Sequence, residues 1–74
     1  MEITAKEKIS GRVAQAIVAE VNRANQTILI KKDGRTINAG SLIGVLSLVI
    51  MPGDVVEITT AGDQSILNNI KALF

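Results

Sequence analysis

The stretch Asn38–Leu48, NAGSLIGVLSL, constrains this chain more than any other, because it places apolar side chains on every side of a helix too short to bury them all. Asn38 and Gly40 supply turn chemistry. Ser41 is a candidate N-cap, since its hydroxyl can accept from free backbone N–H groups of the first turn. At 3.6 residues per turn, Val45 and Leu48 share the side of Ser41, while Leu42, Ile43 and Leu46 fall largely opposite. That second side either meets another element or stays exposed as an apolar patch suited to a partner.

The remaining segments alternate between two periods. Ile3 and Ala5 alternate with Glu2, Thr4 and Lys6, as in a short strand. Ser10 is a second N-cap candidate. From Arg12 to Arg23 the period becomes helical, with Val13, Ala14, Ile17, Val18 and Val21 inside an arc of about 140° and the polar residues outside it. This helix ends near Ala24-Asn25. Thr27–Lys32 is β-branched and reads as a strand. Asp33-Gly34 tolerates positive φ at both turn positions and predicts a hairpin into Arg35–Asn38. After the Ser41 helix, Pro52-Gly53 marks a turn. Asp54–Thr60 is the last strand, with Val56 and Ile58 on one face. Asp63 is a candidate cap for a final helix carrying Ile66, Leu67, Ile70, Leu73 and Phe74.

The order is βαββαβα, and in 74 residues it predicts a single α+β domain, residues 1–74. One antiparallel sheet with all three helices on one face is the layer arrangement that buries both kinds of element. A domain of this size buries only about 60% of its unfolded surface, so its stability margin is thin.

Composition removes whole classes of chemistry. With neither cysteine nor histidine, the usual zinc and copper ligand sets are missing, and no cofactor is expected. The formal charge is +1, from eight basic and seven acidic residues, which leaves no electrostatic footprint for nucleic acid. Phe74 is the only aromatic residue, so base stacking is not a binding mode here. The apolar run Val45–Met51 falls far short of the roughly 20 residues that span a bilayer. A soluble, cytoplasmic protein is the expectation. No serine has a histidine or a Ser-x-x-Lys partner, and no carboxylate pair has acid–base spacing, so an enzyme is not expected.

Two places remain. Ser10-Gly11-Arg12 opens the first long helix, where free N–H groups and the dipole favour an anion; the same residues also suit an ordinary cap with a solvated arginine. The other place is Ser41 with its apolar neighbours, either a cap with partial core or a docking patch.

Gly34–Leu48, GRTINAGSLIGVLSL, resembles the segment around the regulatory serine of HPr, the phosphocarrier family of the bacterial phosphoenolpyruvate-dependent sugar phosphotransferase system. The βαββαβα order is similar to that family's open-faced β-sandwich. The similarity spans essentially the whole chain, with a shortened turn at Pro52-Gly53 and a final helix that stops early. The resemblance implies that Ser41 is the serine phosphorylated by an ATP-dependent HPr kinase in many Gram-positive members. It also implies that Leu42, Ile43 and Leu46 dock protein partners, HPr kinase and a transcription regulator of carbon catabolite control among them. The phosphocarrier motif Gly-Ile-His-Ala-Arg-Pro-Ala departs. Here it reads Lys8-Ile9-Ser10-Gly11-Arg12-Val13-Ala14, which keeps the arginine as Arg12 but puts Ser10 at the histidine and Val13 at the proline. A phosphoserine is a stable ester and does not pass its phosphoryl group onward as a phosphohistidine does. Gly40 stands where many members carry a lysine.

Three readings follow. The first is a Crh-like regulatory variant that acts by protein contact around Ser41. The second is a small anion-binding module using Ser10, Gly11 and Arg12. The third is a homodimer formed through Leu42, Ile43 and Leu46.

Overall fold

Alternation in the strands decides which side of the sheet is covered. The computed structural model describes residues 1–74. Its elements are β1 (Glu2–Thr4), α1 (Gly11–Ala24), β2 (Ile28–Lys32), β3 (Arg35–Asn38), α2 (Leu42–Ser47), β4 (Val55–Thr60) and α3 (Ser65–Lys71). The sheet order is β1-β4-β2-β3, with every neighbouring pair antiparallel. Thus β1 and β2 run parallel with β4 between them, and each helix crosses the same face.

The register puts Ile30 opposite both Ile58 and Ile37, and Ile3 opposite Val56. With a side-chain period of two, Ile3, Ile28, Ile30, Val56 and Ile58 enter one core, while Leu29, Lys31, Val55, Glu57 and Thr59 face outward. Onto the buried side α1 brings Ala14, Ile17 and Val21, α2 brings Val45, and α3 brings Ile66, Leu67 and Ile70. No polar or charged residue is buried. This is the expected open-faced α+β sandwich, four antiparallel strands with three helices on one side.

Local signals held with small shifts. The Ser10 hydroxyl accepts from the Val13 N–H at 3.4 Å and α1 begins at Gly11. Asn25 closes that helix at φ 54°, and Asp33 and Gly34 make the β2–β3 turn at φ 50° and 80°. At the last helix Asp63 is not the cap residue itself. Its carboxylate accepts from the Ser65 N–H at 2.9 Å, whereas Gln64 takes the cap position with helical backbone angles and no side-chain bond. The Gly62 and Asp63 N–H groups already point to Thr60 and Gln26, which pulls the chain into a helical turn one residue late.

One turn has no such chemistry. Val49, just past α2, has φ +49°. A β-branched side chain in the left-handed region crowds the following carbonyl, at a cost of roughly 1–2 kcal/mol.

Candidate functional site

Ser41 sits at the surface between the end of β3 and the start of α2. Its Oγ accepts from the Gly44 N–H at 3.1 Å, and its carbonyl accepts from the Val45 N–H at 3.0 Å. Asn38 Oδ1 accepts from the Gly40 N–H at 2.8 Å and tightens the turn that delivers it. Gly40 is small for a reason: a Cβ there would lie 3.1 Å from Asn38 Oδ1 and 3.3 Å from Asn22 Oδ1. A Cβ on Gly44 would stand 3.3 Å from Ser41 Oγ and crowd the hydroxyl that accepts the Gly44 N–H. Beside it an open polar cleft of about 390 Å³ is lined by Asn22, Asn25, Gln26, Asn38 and Ser41.

The helix divides its apolar residues nearly as its periodicity requires. Val45 and Leu48 are buried, whereas Ile43 is 82% and Leu46 41% exposed. Leu42, the third residue of the expected patch, is less open than the other two. It is half-buried and packs against the core, because the first residue of α2 lies where the chain turns in from Ala39, itself fully buried. The exposed surface instead continues past the helix through Val49 (59%) and Met51 (43%). Their place in the apolar run was visible in the sequence, but the helix end that turns them outward was not.

Cations of the β2–β3 hairpin hold that end. No basic residue lies in the last turn of α2. Lys32 Nζ donates to the carbonyls of Leu48 and Val49 at 3.0 and 2.9 Å, and Arg35 donates to the Ser47 carbonyl at 2.9 Å and to its hydroxyl at 3.2 Å. Positive charge at the carbonyl end of a helix is favourable. Lys32 also pairs with Asp54 at 3.0 Å, and Asp54 Oδ2 accepts from the Met51 N–H at 2.8 Å. The Met51 N–H, then Lys32, hold the Asp54 carboxyl below the usual carboxylate range.

The start of α1 lies next to this exit. The Ile9 N–H donates to the Ile50 carbonyl at 3.0 Å, so Ser10 follows directly on a backbone bond to the segment after α2. Arg12 is exposed and makes no hydrogen bond or ion pair within the chain. The two expected places lie towards opposite ends of α1: Ser10 caps its start, whereas the Ser41 turn stands beside Asn22 and Asn25 near its end. No helix of the chain is long and apolar enough to cross a membrane.

Comparison with known proteins agrees with this geometry. The family model described as the PTS HPr component phosphorylation site matches residues 1–74. The HPr-like protein Crh of Halalkalibacterium halodurans is 36% identical over 64 residues, covering 86% of this chain and 76% of its own. Phosphocarrier protein HPr from Bacillus anthracis superposes with a TM-score of 0.88 at 35% identity, covering 99% of this chain and 92% of that one. Crh of Bacillus subtilis, solved as an intertwined, domain-swapped dimer, gives a TM-score of 0.79 at 31% identity over 99% of this chain and 86% of its own. The chain belongs to the HPr family of the bacterial phosphotransferase system and is Crh-like within it.

Proposed function

We propose that this HPr-family chain is a cytoplasmic regulatory protein, not an enzyme and not a phosphocarrier, which works through protein contacts around Ser41. One observation carries the reading: an accessible Ser41 hydroxyl caps the same short helix that exposes Ile43 and Leu46. An HPr kinase phosphorylates Ser41. The phosphate brings between one and two negative charges to a helix start beside an apolar patch, and so changes which partner surface is complementary to it. Leu42, Ile43 and Leu46 form that patch, with Leu42 contributing only its exposed part. A transcription regulator of carbon catabolite control is the partner class that the phosphorylated form would engage.

Ser10, at the position of the family's phosphocarrier histidine, and its neighbour Arg12 take no part in a relay. The sequence contains no imidazole to carry a labile phosphoryl group. Incubation with the HPr kinase of Bacillus subtilis and ATP, followed by intact mass and peptide mapping, is the test. Phosphate on Ser41 in the wild type and none in Ser41→Ala is the expected result. An unmodified wild type would remove the switch.

Self-association is the second reading, supported by the swapped dimer of the Crh relative and by the exposed Ile43. Sedimentation across a concentration series separates it from the first, since a concentration-independent monomer has no self-paired patch.

A further inference from the structure

We propose that the polar cleft beside Ser41 is the seat of the phosphoryl group added there, with the side-chain NH2 groups of Asn22, Asn25 and Asn38 as its donors. Phosphorylation then fastens the start of α2 to the end of α1. The inference rests on the reading of Ser41 as a phosphorylated residue and adds where the phosphate goes within the molecule. Ser41 is itself part of the cleft wall, and no charged residue lines that cleft. From Thr36 to Leu48 the chain has no lysine or arginine, so a phosphate on Ser41 meets no cation of its own segment. Arg23, in the last turn of α1, is already paired with Glu20.

The cleft offers neutral donors instead. Asn38 Oδ1 accepts from the Gly40 N–H at 2.8 Å, which fixes that carboxamide by its oxygen and leaves its NH2 end free. Asn22 brings its own oxygen to the same place, since a Cβ on Gly40 would lie 3.3 Å from Asn22 Oδ1. Asn22 and Asn25 are exposed, and their NH2 groups make no hydrogen bond within the chain. Gln26 differs, because its carboxamide is committed to Thr60 and Asp63. Three uncommitted NH2 groups thus share one concavity with the hydroxyl that acquires the phosphate. Water serves these donors in the unmodified chain. A phosphate is the better acceptor, with bonds roughly twice as strong as neutral ones, and it takes about one to three of them. The carbonyl end of α1 opposes a negative charge here, so the loss of a single donor is felt. Because Asn22 belongs to α1 and Asn38 to β3, a phosphate bonded to both ties those elements to α2.

The test compares the full chain unmodified and with Ser41 phosphorylated, the second made by total chemical synthesis so that no kinase is needed. Asn22→Ala and Asn38→Asp each remove a donor, and Asn38→Asp keeps an oxygen for the Gly40 N–H. Gln15→Ala, exposed earlier on α1, is the control. Each phosphorylated chain is referred to its own unmodified form, so the basal stability of a variant drops out. Phosphorylation should raise the Tm of the wild type and of Gln15→Ala by about 4 °C. It should raise that of Asn22→Ala by less than half as much, and lower that of Asn38→Asp. In a phosphorus NMR titration the wild-type phosphate should take its second proton at lower pH than that of Asn22→Ala, since donors favour the dianion. A phosphate bonded only to the first-turn N–H groups of α2, or held in solvent, is indifferent to the carboxamides. Equal Tm changes in all four chains, or coincident titrations, would therefore overturn the inference alone. Refusal of the wild type by HPr kinase would overturn the Ser41 reading and, with it, the use of the seat, even where the synthetic chain shows one.

Discussion

Asp54 serves two donors, the Met51 N–H and Lys32, and both favour its ionised form. Asp63 is held low in the same sense by the Ser65 backbone N–H and hydroxyl. A carboxylate whose folded pKa lies below its unfolded value adds stability at every pH above the unfolded value. That stability is lost as pH falls through the folded one. The urea midpoint should therefore be flat near neutrality and decline below the ordinary aspartate value of 3.8. Asp54→Asn should shallow that decline, measured by unfolding curves between pH 6 and the acid limit of about 2. Ser41→Ala should cost about 1 kcal/mol in a urea titration, because the Gly44 N–H loses its acceptor; Ser41→Asp should restore most of it. The capping role of Ser41 could be read from its place before an apolar helix. The pairing of Asp54 with Lys32 could not, because 21 intervening residues fold between them.

At the scale of elements, α2 is the part held by its neighbours. A helix of six residues is unstable alone, so its form depends on the buried Val45, the Ser41 cap and the hairpin cations at its exit. Lys32→Met should leave the sheet intact while raising hydrogen-exchange rates at the amides of Leu48 and Val49 several-fold. Equal acceleration across β2 and β4 would show that Lys32 stabilises the whole fold rather than this exit. The strands and α1 were legible because each carries its own period, and α1 begins within one residue of the expected boundary. The exposed stripe was half legible. Ile43 and Leu46 follow from the wheel, whereas Leu42 turns inward with the chain from Ala39, and Val49 turns outward through a backbone angle that valine does not signal.

Across the whole molecule, seventeen apolar residues form one core with no aromatic side chain in it, drawn from β1, β2, β4, all three helices and the connections between them, with Ile37 of β3 packed against its edge. A domain this small has little stability to spare, and a fully buried Ile17→Ala should remove about 2–5 kcal/mol of it. Thermal denaturation should show that variant largely unfolded near 37 °C. Length and alternation sufficed to place this core on one side of a sheet; they did not fix which molecule meets the surface around α2. Whether that surface answers to a kinase sets its role. Exposure to HPr kinase with ATP and, separately, to the phosphoenolpyruvate-driven phosphotransfer enzymes, with intact mass as the readout, decides it. A single phosphoryl group on Ser41 in the first reaction and none in the second is the predicted result. Phosphate acquired from phosphoenolpyruvate, or none acquired from ATP, would contradict it.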